Sequence, residues 1–331
     1  MKKLLELLPI LKLGTSTDNF PIYAQSLHIT PEFLSTCNDD VSIRIKSHLD
    51  FSGDISFFVL NSILHKFQGN IDYEFLGETL FLSSEGFNTS LNVTDFGFPE
   101  IEGPTPDNFK ITITDELESV IKLAINFIGS KGIFSYVYMG KGNIIAADSS
   151  RVFLFEDNDL IKDCEVLLNS KILPLAVEGV KVGSYSNNTV VQFENGYAIF
   201  VVHDSDDYPT DNAKNYIKNS TENITRICNI AVIKDALEKV QHILFGEKEQ
   251  VIYLSNKNSR LKIVAESAMN GISTYNADSD SDESFSIDMP ISYFRKVPLN
   301  FDLFVEKSNP RPDKIILSDN EKSTIMLMGD K

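Results

Sequence analysis

Residues able to carry catalytic chemistry are few in this sequence, and they form no known catalytic pattern. The run His203-Asp204-Ser205 contains the three residue types of a hydrolase triad, but neighbours on a strand point to opposite faces, and no GxSxG motif accompanies them. Neither a GxxxxGK[ST] phosphate loop nor a GxGxxG motif occurs. No HExxH or other metal-ligand spacing links the histidines, which are His28, His48, His65, His203 and His242. The sequence therefore predicts a protein that is not an enzyme.

An acidic loop and three cysteines are the remaining candidates for metal or redox chemistry. The run that begins at Asp278 and ends at Glu283 imitates a calcium-binding loop, but its sixth position is not Gly, and Met289 stands where a bidentate Glu belongs. The cysteines lack CxxC spacing, as is typical of free thiols in a reducing cytoplasm; they are Cys37, Cys164 and Cys228. We therefore expect a solvated acidic loop, no metal and no cofactor.

The 331 residues carry an acidic excess, with 47 acidic against 30 basic residues and a formal net charge of −17. This balance argues against a generally basic nucleic-acid coat, although a basic stripe can still occupy one face. Apolar residues make up 42%, which is typical of a globular chain with buried cores. No apolar run reaches the roughly 18–20 residues that cross a bilayer. The N-terminal MKKLLELLPILKLG, interrupted by Glu6 and Lys12, predicts an amphipathic helix rather than a signal peptide.

Short alternating strands bounded by Gly and Asn turns dominate the chain, and a few segments have helical periodicity. This mixture predicts an α+β protein with antiparallel sheets. The segments that we expect to be helical are Lys2–Leu13, Val59–Phe67, Asp115–Ile128, Leu167–Val177, Ile230–Phe245 and Met289–Val297.

These elements recur three times along the chain. Each third opens with a long helix, continues to a strand that ends in a polar corner, and then has a short apolar segment and hairpin strands. The corners begin at Asn38, at Asp148 and near Ser267. A repeat of about 105–120 residues indicates duplicated domains and not a solenoid of short units. We expect three domains of similar topology, each with two helices packed on antiparallel sheets, at residues 1–102, 103–220 and 221–331.

Several short motifs, in order and at matching separations, resemble the bacterial DNA polymerase III beta sliding clamp family over nearly the whole chain. Ser149-Ser150 replaces the family's Gly-His, Gly329 replaces a Pro, and the first helix follows Met1 directly where the family has a strand. A divergent clamp, such as a phage could encode, fits these departures. The matching motifs are Phe20-Pro-Ile-Tyr, Asn38-Asp-Asp-Val-Ser-Ile, Gly97-Phe-Pro-Glu-Ile, Ala147-Asp-Ser-Ser-Arg-Val, Asp207-Tyr-Pro-Thr-Asp and Ile325-Met-Leu-Met-Gly.

The resemblance implies a ring of two copies joined head to tail, with helices lining the hole and sheets outside. Such a processivity factor encircles duplex DNA without reading its sequence, tethers the replicative DNA polymerase, and is opened by a clamp loader in the cytoplasm. It catalyses no reaction and needs no membrane. Basic residues on the predicted helices are the candidates for facing DNA: Lys2, Lys3, Lys12, Lys66, Lys122, Lys171, Lys234, Lys239, Arg295 and Lys296.

The resemblance also implies two protein-binding regions. Members of the family close the ring through an apolar strand of the first domain and the end of the third domain's opening helix, which here correspond to Phe87, Leu91, Ile243 and Leu244. Partners insert a peptide into an apolar groove, where flexible methionines adapt to several sequences. The matching positions are Arg151, Val152, Pro209, Met326, Leu327 and Met328.

A second function remains open on the sequence alone. A clamp-fold adaptor could keep the same domains for protein contacts and never encircle DNA. Net positive potential on the helix-lined face would favour the clamp, because the overall charge is −17.

Overall fold

A computed structural model describes residues 1–17, 21–161, 164–204 and 207–329. Phe20 of the first resemblance motif, Ser205 of the triad-like run and the last two residues of the third predicted domain lie outside this range. The helices are α1 Lys2–Leu11, α2 Phe57–Leu64, α3 Asp115–Ala124, α4 Thr210–Thr221, α5 Ile230–Val240 and α6 Ser292–Arg295. The strands are β1 Ser26–Ile29, β2 Phe33–Cys37, β3 Val41–Lys46, β4 Gly53–Ser56, β5 Asp72–Leu76, β6 Thr79–Ser84, β7 Phe87–Asn92, β8 Phe109–Thr112, β9 Val137–Gly140, β10 Asn143–Ala147, β11 Arg151–Glu156, β12 Glu165–Leu168, β13 Lys181–Tyr185, β14 Asn188–Phe193, β15 Gly196–Phe200, β16 Ile224–Asn229, β17 Val251–Lys257, β18 Arg260–Ser267, β19 Gly271–Asp278, β20 Phe285–Pro290, β21 Asp302–Glu306, β22 Lys314–Ser318 and β23 Ser323–Met328.

The strand pairs within the two compact units described below are antiparallel, and the helices are short, which confirms the α+β prediction. Helices α1, α2, α3 and α5 form where periodicity predicts them. The segment predicted as a helix at Leu167–Val177 differs: it holds the end of β12 and a 3-10 turn at Ser170–Leu175 that contains Pro174. The segment predicted at Met289–Val297 contains only α6, because Phe285–Pro290 pairs with β17. Helix α4 was not predicted.

The first compact unit contains residues 1–118 and 163–203. Its main sheet has the strand order β4-β1-β2-β3-β15-β14-β13-β8, and β5-β6-β7 form a smaller sheet. Strand β3 alternates, with Val41, Ile43 and Ile45 buried on one face. Helix α1 buries Leu4, Leu8 and Leu11, which lie on one side at helical spacing. The Thr36 hydroxyl of β2 donates to the carbonyl of Leu11 at 2.8 Å and fixes the helix end to the sheet.

The second compact unit contains residues 119–162 and 204–331. Strands β9-β10-β11-β23-β22-β21-β16 follow one another in its main sheet, and β19-β18-β17-β20 form a second sheet. Helix α5 starts at a side-chain cap, because Asn229 accepts the N–H of Ala231 at 2.9 Å. The helix then turns one face inward, formed by Ile230, Ile233, Ala236, Leu237 and Val240.

These units do not follow the predicted domain boundaries, because residues 103–220 are shared between them. The division at 102/103 and 220/221 therefore stays a prediction. Among the described residues, none of the helices has both the length and the apolar character needed to span a membrane.

Candidate functional site

The polar corner between β10 and β11 sets the geometry of the predicted groove. Asp148 Oδ1 accepts the backbone N–H groups of Ser150 and Arg151, each at 2.8 Å. Its other oxygen accepts from the Arg151 side chain, at 2.8 Å from Nε and 2.5 Å from Nη2. The Ser150 carbonyl then accepts the N–H of Met328 at 2.8 Å. One carboxylate thus fixes the corner, the arginine and, through the corner, the end of β23.

The pairing of β11 with β23 brings together the predicted groove residues from the two ends of the sequence. Arg151 lies opposite Leu327, and Val152 lies opposite Met326. Residues directly opposite on antiparallel strands share a face, and the faces alternate along each strand. Val152 and Met326 therefore share one face with Met328, which we call the groove face, and Arg151 and Leu327 lie on the other face.

The predicted groove residues also differ in how much of their surface is exposed to solvent. Met326 and Leu327 are 1% and 0% exposed, so they lie beneath the surface. Val152 and Met328 are partly exposed. Pro209 is also partly exposed and directly precedes α4, so it fixes where that helix begins. Accessible apolar surface at the groove is therefore offered by Val152, Pro209 and Met328.

Helix α4 supplies a wall of the groove face that the sequence did not reveal. The helix packs against β11, and Ile217 is its buried residue. The Tyr216 hydroxyl donates to Met328 Sδ at 3.4 Å, and Lys314 Nζ lies 5.3 Å from the centre of the Tyr216 ring. Tyr216 keeps 41% of its surface exposed, so an aromatic ring stands beside the methionine at the edge of the groove.

Aromatic residues continue this surface toward Pro209. The ring of Tyr208 stacks on Tyr138 at 5.6 Å and meets Phe134 edge-on at 6.1 Å. Tyr208 is 8% exposed, and this burial raises the pKa of its hydroxyl. Phe134 is 41% exposed and forms the outer end of the cluster. The groove face therefore combines a buried aromatic floor with two exposed rings, Phe134 and Tyr216.

Arg151 holds its place from the opposite side of β11. Its guanidinium lies 5.5 Å from the ring centre of Phe127 and 5.3 Å from that of Tyr293. With both oxygens of Asp148 also engaged, the side chain is fixed by one ion pair and two rings. Arg151 therefore positions the corner that carries Met328, from the face of β11 opposite to that of Val152.

The basic residues predicted to face DNA are mostly exposed, and several of them also contact other groups. Lys2, Lys3, Lys12, Lys66, Lys122 and Lys296 are exposed at or beside the described helices, and Lys122 is also engaged by a neighbouring group. The others are engaged: Lys171 pairs with Asp40, Lys239 Nζ lies 2.6 Å from Asp235 Oδ2, Lys234 Nζ lies 3.5 Å from the Arg295 carbonyl, and the Arg295 side chain donates to Gln250 at 3.2 Å.

Two of the engaged lysines are partly neutralised. The hydrogen bond from Lys171 and then that from His203 hold the pKa of Asp40 below its usual value, against the effect of burial. Lys239 is held between Asp235 and the Tyr275 ring, whose centre is 4.5 Å from Nζ. The structure brings Lys234 and Arg295 together across α5 and α6, which pack against each other.

The residues predicted for ring closure lie near two sheet edges. Strand β7, with Phe87 39% exposed and Leu91 8% exposed, is the outer strand of the β5-β6-β7 sheet. Strand β19 is the outer strand of the β19-β18-β17-β20 sheet. Ile243 and Leu244 lie in a 3-10 turn after α5 that packs on β18 and β19, with Leu244 buried and Ile243 partly exposed.

The exposed apolar surface near β19 comes from residues that the sequence did not single out. Phe245 is 85% exposed, Met269 is 90% exposed and Ile272 is 63% exposed. They are neighbours, because Asn270 Nδ2 donates to the carbonyls of Ile243 and Phe245 at 2.9 and 3.0 Å. A sequence signal existed for two of them: Phe245 directly precedes Gly246 and Met269 lies in the turn before Gly271, and residues in such turns are not core strand residues.

The features that imitate catalytic or metal sites have other partners. His203 Nε2 lies 2.7 Å from Asp40 Oδ1. In the acidic loop, Asp280 pairs with Arg226, and Asp278 Oδ1 lies 2.6 Å from Arg260 Nη1. Among the described residues, no three His, Cys, Asp or Glu side chains are grouped so that they could hold a metal ion.

Comparison with known proteins gives a result for the fold alone. The sequence matches no known protein-family profile, and it has no match among curated proteins. Its structure is similar to the Helicobacter pylori beta clamp bound to a DNA ligase peptide, with a TM-score of 0.81, 16% identity, and coverage of 100% of this chain and 98% of that chain. The beta subunit of Streptococcus pyogenes DNA polymerase is similar with a TM-score of 0.81 and 16% identity, over 100% of this chain and 98% of that chain. The Bacillus subtilis DNA polymerase sliding clamp is similar with a TM-score of 0.81 and 14% identity, over 100% of this chain and 97% of that chain.

These similarities extend over the whole chain, so the chain has the DNA sliding-clamp fold. The resemblance predicted from short motifs is confirmed at the level of the fold. At about 15% identity the chain is a divergent example of that fold.

Proposed function

We propose that this chain is a sliding clamp: two copies form a ring around duplex DNA and tether the replicative DNA polymerase. The observation that carries the proposal is the match of the whole chain to sliding-clamp structures. A clamp acts by topology, because a tethered polymerase stays at high effective concentration near its template. No bond chemistry is required of the chain, and none of its residues is proposed as catalytic.

The ring would close where β7 of one copy meets β19 of the next. Both are outer strands with free hydrogen-bonding edges, and both carry exposed apolar residues, Phe87 on one and Ile272 on the other. Pairing such edges satisfies backbone groups and covers apolar surface. Phe245 and Met269, with Ile243 and Leu244 behind them, would add to the β19 side, and Leu91 would support the β7 side.

Three similar domains at 1–102, 103–220 and 221–331 would place six domains in the dimeric ring. The recurrence of one turn supports this division: Asn38, Asp148 and Ser267 each accept two backbone N–H groups just after their strands. Helices carrying Lys2, Lys3, Lys12, Lys66, Lys122 and Lys296 exposed would line the hole, with Lys171, Lys234, Lys239 and Arg295 nearby. Their contacts with phosphate would be weak, as sliding requires.

The groove face would be the docking site for partner peptides. The Helicobacter pylori clamp was solved with a DNA ligase peptide, which supports a peptide-binding role for this fold. Here the accessible lining is Val152, Pro209 and Met328 with the exposed rings of Phe134 and Tyr216. Met326 lies buried beneath this face, while Leu327 and Arg151 lie on the other face of the sheet, where Arg151 holds the corner. DNA polymerase and a clamp loader would share this site in the cytoplasm, a compartment that suits the three free cysteines.

Retention on circular DNA tests the proposal directly. The purified chain is loaded by its clamp loader onto nicked circular DNA, separated from free protein, and the DNA is then cut once. A clamp stays on the circle at high salt and is lost after linearisation, because only topology holds it. A clamp-fold adaptor gives no salt-resistant retention on either form, and that outcome would overturn the proposal.

A matched pair of variants tests ring closure. Phe245→Asp places a charge on the proposed interface, where an unpaired buried charge costs several kcal/mol, so the dimer should dissociate. Leu299→Asp is the control, because Leu299 is also exposed, at 61%, but belongs to neither β7 nor β19. Sedimentation should give half the mass for the first variant alone. Equal masses for both variants would place the interface elsewhere.

The groove is tested separately from the ring. Met328→Ala with Tyr216→Ala removes an accessible apolar anchor and its aromatic neighbour. Buried anchors are worth ~2 kcal/mol or more each, so partner affinity should fall ~100-fold or more. Processive synthesis by the organism's replicative polymerase on a long primed template should collapse, while retention on circular DNA persists. Unchanged processivity in a folded double variant would mean that partners dock elsewhere.

A further inference from the structure

A row of polar side chains crosses the main sheet of the first unit, on the face opposite its apolar core. The row follows the strand register: Asp54 pairs with His28, His28 with Ser35, Ser35 with Arg44, and Arg44 with Tyr197. Directly opposite residues share a face, so all five stand on one side of β4, β1, β2, β3 and β15. The neighbouring positions on the other face are apolar and buried, as Leu27, Leu34 and Ile43 show.

The histidine in this row is held in one orientation. His28 Nδ1 lies 2.5 Å from Asp54 Oδ1, and Asp54 is 1% exposed. The other Asp54 oxygen accepts the N–H of Phe96 at 2.7 Å. The Phe98 ring stacks on the imidazole, with centres 4.7 Å apart and planes 9° apart. Because Asp54 takes Nδ1, Nε2 is the nitrogen that remains for a ligand, and it has no partner in the described chain.

The arginine in the row has no carboxylate partner among the described residues. Arg44 lies over the Phe33 ring, with Cζ 5.0 Å from its centre. Its Nε is buried, as is the neighbouring Tyr197 hydroxyl, yet the two groups form no hydrogen bond of good geometry with each other or with other described residues. A partly buried guanidinium without an ion pair is less well compensated than an exposed one, because burial removes part of its hydration and no described carboxylate replaces it.

These groups line a pocket in the first unit. The pocket has a volume of about 360 Å³, and its lining includes His28, Glu32, Phe33, Ser35 and Arg44. Ser35 lies between His28 and Arg44 in the strand register and is 1% exposed. Glu32, which is exposed, contributes the one opposing charge of the lining. The pocket therefore presents the Arg44 guanidinium, which has no carboxylate partner among the described residues, with the Ser35 side chain and Nε2 of His28 beside it.

We propose that this pocket binds an oxyanion, a carboxylate or a phosphate, through the Arg44 guanidinium with Ser35 and His28 as supporting groups. A planar guanidinium matches the two oxygens of such an anion, and a charge-assisted pair in a partly buried site is stronger than one in water. The bound oxyanion would be the acidic partner that the Arg44 guanidinium lacks within the chain. The site is separate from the groove face and does not depend on the clamp function.

Two probes distinguish the sources of the oxyanion. Inorganic phosphate represents a free phosphate-type anion, and the peptide Ac-Ala-Glu-Ala-NH2 represents the side chain of a protein partner. Each is titrated into the full chain at constant ionic strength, with Ac-Ala-Gln-Ala-NH2 and chloride as neutral and ionic references. Ligand that binds only the folded state raises the melting temperature with concentration. A shift with either charged probe, absent with its reference, supports the site and names the source.

Three variants make the test specific. Arg44→Met keeps the stem over Phe33 and removes the charge, so affinity should fall ~10-fold or more. Glu32→Gln removes the opposing carboxylate and should raise affinity severalfold. Lys46→Gln is the control, because Lys46 lies on the same strand and face as Arg44, is exposed, and is not part of the lining. Its affinity should stay within about twofold of wild type, since a solvent-exposed ammonium outside the lining adds only a weak interaction.

The unliganded melting temperature of Arg44→Met should equal or exceed that of wild type, because the variant removes an uncompensated charge. The proposal is overturned if neither probe binds at 10-millimolar concentrations, which are ~10-fold above a 1 mM dissociation constant. It is also overturned if Lys46→Gln weakens binding as much as Arg44→Met, since that would show general surface charge at work. If Arg44→Met does not fold, the Glu32→Gln variant tests the proposal instead. An affinity for the oxyanion probe equal to that of wild type in this variant would overturn the proposed site.

Discussion

The corner after β2 and the corner after β10 use the same turn to different ends. Asn38 Oδ1 accepts the N–H groups of Asp40 and Val41 at 2.9 and 2.8 Å. Asp148 Oδ1 accepts from Ser150 and Arg151 in the same way, each at 2.8 Å. The second side-chain atom differs. In Asn38 it is an amide nitrogen that donates to the carbonyls of Leu13 and Thr15, and in Asp148 it is an oxygen that accepts from Arg151.

One atom therefore decides what each corner does. The amide uses its donors on backbone, so the Asn38 corner ties the chain after α1 to the sheet and leaves nothing for a partner. The carboxylate takes up a side chain, so the Asp148 corner holds Arg151 away from the groove face and leaves that face to apolar residues. The repeated turn is a structural element that fixes the chain after α1 to the sheet at Asn38 and fixes Arg151 and the end of β23 at Asp148.

Exchanging the side chain of the first corner should have the largest effect. Asn38→Asp keeps the oxygen that accepts the two N–H groups, but it turns the donating nitrogen into an oxygen facing the carbonyls of Leu13 and Thr15. Two hydrogen bonds are lost and like dipoles meet in a partly buried place, so we expect the free energy of unfolding to fall by about 3 kcal/mol. Urea denaturation at pH 7 measures it, and a loss under about 1 kcal/mol would contradict the role given to the amide.

The reverse exchange at the second corner should cost less. Asp148→Asn keeps the accepting oxygen and loses only the pair with Arg151, whose side chain is 21% exposed and can turn to water. We expect a loss of about 1.5 kcal/mol in the same urea experiment. Asp148→Ala is the matched control, since it removes the turn as well and should cost about twice as much. Equal losses for Asn38→Asp and Asp148→Asn would mean that the two corners do not differ as described.

Much of the fold could be predicted from local patterns. Helices α1 and α5 have apolar residues at helical spacing, and the corners at Asn38 and Asp148 follow strands whose alternation is clear. Helix α4 was missed because its sequence, TDNAKNYIKNST, is polar and buries only Ile217. Its position depends on contact with β11, which no local pattern encodes.

The site was less predictable because it depends on register. The family resemblance predicted that Val152 and Met328 lie close together. It did not predict that Arg151 lies on the opposite face of β11, because a sequence motif does not show the alternation of side chains along a strand. Tyr216 joins Met328 only through the packing of α4. Near β19, Phe245 and Ile272 were missed because exposure, rather than residue type, distinguishes them from core residues.

A carboxylate corner, unlike an amide corner, should make the stability of the protein depend on pH, and we expect this effect to be the smallest of those predicted. Asp157, just after β11, is a second corner of the carboxylate kind: it accepts the N–H groups of Asp159 and Leu160 at 2.8 and 2.9 Å, and its Oδ2 lies 2.6 Å from Lys322 Nζ. The Lys322 hydrogen bond, aided by those N–H groups, lowers the pKa of Asp157 to about 2 from the usual 3.8. The folded state therefore binds this proton less readily than the unfolded chain does. The resulting stability is present above about pH 4 and is lost as the pH falls toward 2.

Asp157→Asn should consequently cost about 1 kcal/mol at pH 7, and the gap from wild type should narrow as the pH falls from 4 to 2. Thermal unfolding of both proteins across that range measures the gap, and the comparison cancels the contributions of other acids with lowered pKa values, such as Asp40 and Asp302. Asn38→Ala is the reference, because an amide corner does not titrate and its cost should stay constant over the same range. A gap for Asp157→Asn that is also constant with pH would mean that the Lys322 pair contributes nothing in solution, and that an amide would hold this corner as well as a carboxylate.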